Sequence, residues 1–299
     1  MHVIITGANG HIGKRLIQKL SDVVPVTALV RRKSAQRELD KLYPMSSSLN
    51  IRLVDFEDIP KLGKAMSDGS HIVHLIGTIR ETHRNPLKES HEDCANAVCL
   101  VANDLGIDRA IYVSIVGAHE KSRSLCLRRR AAVEKIFSQN INGLDILRFP
   151  MVLGENDRAS RSLSRRASSK FVTLFRGNSL EQPIYAGDVV DAIWSCLNHP
   201  NGQKHLFELG GPETITRKEL VQRAGRILNN TPRIISLPLF FGTGLAKTSE
   251  ILLKNPIVTG DMLKILDHDD DIDCRAACSS LGIELTSLDE MLERCLSDD

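Results

Sequence analysis

A chain of 299 residues, 42% of them apolar and 25% charged, is long enough to bury a sizeable core, as one large domain or as a domain with a smaller lobe. A formal net charge of +2 gives no electrostatic reason to expect nucleic acid or an anionic membrane as a partner. No apolar run approaches the roughly 20 residues that cross a bilayer, so peripheral association is the only membrane role left open.

The chain opens on MHVIITGANGHIG, an apolar strand over His2–Thr6 that runs into glycines at 7, 10 and 13. Gly7 permits a tight turn, Gly10 lets the backbone approach a pyrophosphate, and Gly13 lets the next helix, HIGKRLIQKL, pack closely on the strand. Asn9, His11 and Ile12 belong to the same turn, whose free N–H groups face an anion. Strand, turn and helix together predict a dinucleotide site. A strand that begins at Met1 leaves no space for a signal peptide, and the expected compartment is the cytoplasm.

A second strand, Val26–Val30, ends in Arg31-Arg32-Lys33-Ser34 with no carboxylate. An acid here would bind a free ribose 2′-hydroxyl, whereas Arg31 or Arg32 can form a charge-assisted fork to a 2′-phosphate. NADP(H) is therefore expected, with NAD(H) as the alternative. Ile51–Val54 is a third strand, and Asp55 after it is placed to reach the adenine edge. The helix IPKLGKAM follows, then a fourth strand, His71–Gly77, whose Ile76 and Gly77 border the cofactor. His74, in an apolar strand, reads as a core histidine. The helix KESHEDCANAVCLVANDLG leads to a fifth strand, Ala110–Ser114, with the Ser114 hydroxyl expected at the nicotinamide end. RRRAAVEKIF is helical, and a sixth strand, Leu144–Phe149, stops at Pro150. This alternation predicts an α/β, doubly wound parallel Rossmann sheet with helices on both faces and a smaller C-terminal lobe.

After Pro150 the rhythm breaks. Residues 156–182 form a polar, basic, serine-rich stretch with a short apolar insert, read as a solvated face or an anion-binding edge. A helix over Asp188–Leu197, a strand from Phe207, a helix capped by Thr216 and Glu219, and a helical tail complete the chain. The expected division is a nucleotide-binding domain over 1–200, with 154–182 on the cleft side, and a smaller subdomain over 201–299. Seven cysteines without a C-x-x-C pair read as free, mostly buried thiols. Asp267, Asp269, Asp271 and Asp273 lack the glycine and glutamate of a calcium loop, and no metal is expected.

GANGHIG, LVRR, VHLIGTIRET, YVSIVGA, LRFPMVLG, QPIYAGDVVDAI and ELGGPETITRKELV occur in the order of an extended short-chain dehydrogenase/reductase of the NAD-dependent epimerase/dehydratase type, which the whole chain resembles. More narrowly, HLIGTIRET, the NDR after Gly154 and the tail PLFFGTGLAKTSEILLKNPIVTGDMLKIL are similar to the atypical group related to the NAD(P)H-binding accessory subunit of respiratory complex I. The resemblance implies that Gly7, Gly10, Gly13, Arg31, Asp55, Gly77, Ser114 and Pro150 contact or border the cofactor.

Active members of that superfamily pair a serine with Tyr-x-x-x-Lys. Aligned on Ala131 and Glu134, Cys126 stands at the tyrosine position and Arg130 at the lysine position. The three tyrosines, at 43, 112 and 185, all lie outside the span between the fifth and sixth strands. Ser114, Cys126 and Arg130 are thus the catalytic candidates, with Arg130 also suited to the ribose. A thiol is a weak hydrogen-bond donor, and Cys126 reads most simply as a small buried filler. Two functions follow. One is a cofactor-dependent binding or regulatory protein with a protein partner. The other is an NADP-dependent oxidoreductase or epimerase-like enzyme acting on a carbonyl, quinone-like or nucleotide-sugar substrate.

Overall fold

A computed structural model describes residues 1–44, 46–77, 89–199, 203–238, 264 and 268–297. In chain order the first elements are β1 (Val3–Thr6), α1 (His11–Leu20), β2 (Val26–Val30), α2 (Lys33–Leu42), β3 (Leu49–Leu53), α3 (Ile59–Met66) and β4 (His71–His74). A π-helical turn at Glu89–Asp93 leads into α4 (Cys94–Leu105), followed by β5 (Arg109–Ile115), α5 (Leu125–Asn140) and β6 (Gly143–Phe149). Then come β7 (Val152–Leu153), α6 (Arg158–Ala167), β8 (Phe171–Phe175), β9 (Leu180–Glu181), β10 (Ile184–Tyr185) and α7 (Ala186–Leu197). The remainder is β11 (Lys204–Glu208), β12 (Ile215–Thr216), α8 (Arg217–Ile227), β13 (Arg233–Leu237), α9 (Arg275–Leu281) and α10 (Leu288–Leu296).

These elements form two compact units. The first takes residues 1–121, 127–148 and 190–207, and the second takes 122–126, 149–189 and the described residues from 208 onward. The chain enters each unit more than once, where a single boundary after residue 200 is expected from sequence.

The first unit is built on a seven-stranded sheet in the order β11-β6-β5-β4-β1-β2-β3, with parallel pairing from β3 through β5. The 3-2-1-4-5-6 core of that order is the doubly wound arrangement. β1 (VIIT) and β2 (VTALV) are buried at every position, as parallel strands covered on both faces must be. Gly13, Leu16, Ile17 and Leu20 of α1 turn inward at helical spacing. One apolar cluster joins Leu29, Met66, Val98, Tyr112, Phe137 and Leu144.

In the second unit three two-stranded sheets, β10-β7, β12-β9 and β13-β8, pack with α6, α8 and α10 around Leu163, Val172, Leu220 and Met291. The Thr216 hydroxyl accepts the Glu219 N–H at 3.1 Å, the expected cap of α8.

Several elements differ from the sequence expectation. α2 fills a gap left without a helix, because only Ala35 and Leu39 of its ten residues are buried. β4 ends at His74, and Leu75–Gly77 leave the strand to pass over the glycine turn. The basic stretch contains α6, whose one large apolar residue, Leu163, carries too weak a periodicity to read. Its N-cap, Asp157, accepts the N–H groups of Ser160 at 2.7 Å and Gly154 at 2.6 Å. Arg158, Arg161 and Arg165 point outward. Asp269, Asp271 and Asp273 accept bonds from Ser179, Thr214 and Arg275. Asp267 and most of the apolar stretch from Leu237 to Leu253 lie outside the described residues.

His74 is a core residue. It is fully buried, its Nδ1 lies 3.0 Å from the Thr6 hydroxyl, and its ring packs against Tyr112 and Phe137. Burial, and then the positive charge of Arg130, push its pKa down to about 3. The unfolded chain therefore binds the proton first as pH falls, and stability is lost from the ordinary histidine range down to about 3. Urea unfolding should give about 2 kcal/mol less stability at pH 5 than at pH 7. His74→Gln should remove most of that difference, and a difference that survives the substitution places its origin elsewhere.

Candidate functional site

A groove of about 310 Å³ opens in the first unit at the carboxyl ends of β1, β2 and β4. Its floor is the turn after β1, with Gly7, Asn9 and Gly10. Gly7 has φ +69°, and a Cβ there would stand 3.0 Å from the Leu75 carbonyl carbon, so the position requires glycine on two counts. A Cβ on Gly13 would meet the Ala8 oxygen at 2.5 Å, which is the close helix–strand approach the spacing predicts. The first intrahelical bond of α1 runs from Lys14 N–H to the Gly10 oxygen at 3.0 Å. The amides of His11, Ile12 and Gly13 precede it and lie at the positive end of the helix dipole.

One side of the groove is the end of β2: Leu29, Val30, Arg31 and Arg32, with Ala35 of α2. Both arginines are exposed, and no carboxylate lines the groove among the described residues. Asp55 does not line the groove. It is exposed, and its carboxylate accepts the Glu57 N–H at 3.1 Å. Its neighbour Phe56 is buried and does line it. The alternation of Val54, Asp55 and Phe56 across the strand end is the signal that points to residue 56. Leu75, Ile76 and Gly77 close the other side.

Arg130 does not line the groove itself but lies against Gly77, which does. A Cβ on Gly77 would stand 2.3 Å from Arg130 Nη2, so the guanidinium occupies the space a side chain would need. Arg130 Nη1 donates to the Val113 carbonyl at 2.9 Å and lies 3.4 Å from the Tyr112 hydroxyl. Ser114 is buried and donates to Glu134 Oε1 at 2.6 Å. Arg148 grips the same carboxylate bidentately, with Nε at 2.8 Å and Nη2 at 2.6 Å. Ser114 is not among the groove's lining residues. Cys126 is fully buried, and it and Pro150 belong to the second unit.

A Rossmann sheet with this glycine turn is the architecture of a dinucleotide-binding protein, and residues 7–148 match the model of a family described as NAD(P)H-binding. The chain is 27% identical over 255 residues to NADH dehydrogenase (ubiquinone) 1 alpha subcomplex subunit 9, mitochondrial, of Arabidopsis thaliana, covering 83% of this chain and 63% of that protein. It is 24% identical to the NADH-ubiquinone oxidoreductase 40 kDa subunit, mitochondrial, of Neurospora crassa, covering 94% of this chain and 74% of that protein. Over most of its length the chain is therefore similar to these mitochondrial NADH dehydrogenase subunits. The chain spans 63% of the Arabidopsis protein and 61% of a Dictyostelium discoideum counterpart.

Among solved structures, MoeE5 in complex with UDP-glucuronic acid and NAD superposes with a TM-score of 0.75 at 18% identity, covering 99% of this chain and 98% of that one. UDP-glucuronic acid 4-epimerase of Bacillus cereus, with UDP-glucuronic acid and NAD, gives 0.75 at 17% identity over 98% and 97% of the two chains. These likenesses establish the fold. No helix of the described residues is long and apolar enough to cross a membrane.

Proposed function

We propose that this protein binds NADP(H) in the groove above β1 and uses the bound cofactor in a binding or regulatory role, with little or no turnover. The observation that carries the cofactor choice is the pair Arg31 and Arg32 in a groove rim with no carboxylate among the described residues. Gly7, Asn9, Gly10 and the amides of His11, Ile12 and Gly13 hold the pyrophosphate, and Ala35 and Phe56 offer an apolar surface to the adenine. Ile76, Gly77 and Arg130 border the ribose, with Asp55 as an outer member of the site. A nicotinamide cofactor supplies a hydride acceptor or donor when bound.

The engagement of the tyrosines supports the low-turnover reading. Each tyrosine hydroxyl is engaged: Tyr43 donates to the Lys14 carbonyl at 2.7 Å, Tyr185 donates to Glu155 at 2.6 Å, and Tyr112 lies 3.4 Å from Arg130. Burial raises the pKa of Tyr112, which makes it a poorer acid. Ser114 is held by Glu134, and Cys126 and Arg130 stand where tyrosine and lysine are expected. The competing reading is an NADP-dependent oxidoreductase or epimerase-like enzyme using Ser114 or Cys126, with a carbonyl, quinone-like or nucleotide-sugar substrate. It draws on the UDP-sugars bound in the superposing structures.

A protein partner fits the subunit names of the relatives. Seven free thiols fit a reducing compartment, which we take to be the cytoplasm although those relatives carry mitochondrial names. Cell fractionation checks that placement.

The functional test is fluorescence titration with NADPH and NADH, followed by NADPH consumption with a carbonyl and quinone panel. Tighter binding of NADPH without consumption is the expected result, and rapid turnover abolished by Cys126→Ala overturns it. Arg31→Ala and Arg32→Ala together should weaken NADPH about tenfold to a hundredfold and leave NADH nearly unchanged, at about 1.5–3 kcal/mol for a charged hydrogen bond. Equal losses for both cofactors would remove the 2′-phosphate from the argument.

A further inference from the structure

At the amino ends of the strands, the opposite end of the same sheet from the groove, a second cluster of polar side chains gathers around one buried carboxylate. Asp145, in β6, is fully buried. His199, just beyond α7, places Nδ1 3.2 Å from its Oδ2, and His205, in β11, places Nδ1 2.7 Å from its Oδ1. One ligand atom from each of the three lies within 4.8 Å of the others. We propose that Asp145, His199 and His205 form a divalent transition-metal site, with zinc as the fitting ion and water completing the coordination.

Imidazole and carboxylate donors, three from the protein with one position left open, are the set that suits zinc. Bonds of about 2.0–2.1 Å in a tetrahedron separate neighbouring ligand atoms by about 3.3 Å. The 3.2 Å from His199 Nδ1 to Asp145 Oδ2 already matches, and His205 Nδ1, 2.7 Å from the other carboxylate oxygen, needs to withdraw from it by about half an ångström for an ion to lie between the two histidines and the carboxylate. His199 and His205 are partly exposed, which gives a metal ion a route from solvent.

The surroundings of His205 point the same way. Its Nε2 lies 3.1 Å from Gln203 Oε1 while its Nδ1 faces Asp145, so both ring nitrogens face an oxygen. A neutral imidazole carries one N–H. With that proton donated to Gln203, Nδ1 directs a lone pair at the carboxylate, and a cation between them resolves the conflict. A histidine whose far nitrogen donates to an oxygen is the outer-sphere pattern of metal sites. Turned the other way, the Gln203 amide donates to Nε2 and His205 donates to Asp145, with no cation required.

Arg109 sets the limit on affinity. Its Nη2 contacts Asp145 Oδ2 at 2.5 Å, so the carboxylate shares its charge between the guanidinium and the metal. A bound ion would clasp β11, the edge strand, to β6.

The test uses the full chain, stripped of metal by a chelator and titrated with Co²⁺ and Zn²⁺. One equivalent should bind, with a cobalt spectrum of nitrogen and oxygen ligands and no thiolate charge-transfer band, which separates this site from the seven cysteines. His199→Gln and His205→Gln should each weaken binding at least tenfold. Gln203→Ala should weaken it less, through the orientation of His205. Thermal unfolding of the metal-free variants shows whether each histidine variant still folds. Gln203 is exposed, so its variant keeps the test decisive if they do not. Absence of binding, a thiolate band, or affinity unchanged in the folded variants overturns the proposal.

Discussion

Asp145→Asn is expected to lower the unfolding free energy by about 3–5 kcal/mol, the usual result of removing one partner from a buried ion pair. Arg109 and Asp145 expose 2% and 0% of their side chains, so neither can turn to water when the other is lost. The guanidinium also donates to the Cys196 carbonyl at 2.5 Å, while its Nε and Nη1 have no hydrogen-bond partner among the described residues. Neutralising Asp145 leaves that charge buried with only neutral oxygens as acceptors among the described residues. Replacing both residues, as Arg109→Met with Asp145→Leu, should restore much of the loss, because the cost lies in the stranded charge more than in the pair itself. Denaturant unfolding of the two variants checks this. A single variant within about 1 kcal/mol of the parent would show that the cluster carries little stability.

The second large effect is expected at Gly13. Gly13→Ala puts a methyl group 2.5 Å from the Ala8 oxygen and 2.7 Å from the Gly7 oxygen, both rigid backbone atoms. The start of α1 must move, and the phosphate-facing amides move with it. Loss of two charge-assisted bonds at about 1.5–3 kcal/mol each weakens NADPH about a hundredfold or more. The strain itself destabilises the fold by about 1–3 kcal/mol. Gly63→Ala is the matched control: a Cβ there meets nothing within 4 Å, so α3 should accept it with stability unchanged or slightly raised. Isothermal titration of both variants with NADPH separates the two outcomes. Undiminished binding by Gly13→Ala would contradict the placement of the cofactor.

The features legible in the sequence are those encoded locally. The burial of β1, the three glycines and the inward face of α1 follow one another within twenty residues, and the Thr216 cap needs only four. The arginines at the end of β2 could be placed on the groove because the sheet order fixes where that strand ends. Features made by distant residues were not legible. Ser114 invites a catalytic role by position, yet its hydroxyl is taken by Glu134 from α5, which Arg148 from β6 then holds. Asp145 reads as one acid in an apolar strand, and its histidines lie 54 and 60 residues further on. Phe56 is masked in the sequence by Asp55, the polar neighbour whose carboxylate is the more obvious partner for an adenine. α6 escaped because arginine and serine cover all but a narrow stripe of it.

The edge position of β11 bears on how the molecule is made. During synthesis the chain delivers β1 to β6 first, and domains generally fold from the amino end as they emerge. β6 must then wait until residue 208 has been added before its partner strand can close the sheet. At about 5–20 residues per second that interval lasts seconds, during which an apolar strand edge stands open on the ribosome. Lys204 and Glu208 at the ends of β11 guard the finished edge with charge, but nothing guards β6 before they arrive. The nascent chain is therefore most vulnerable to mispairing in the stretch between the sixth strand and the eleventh.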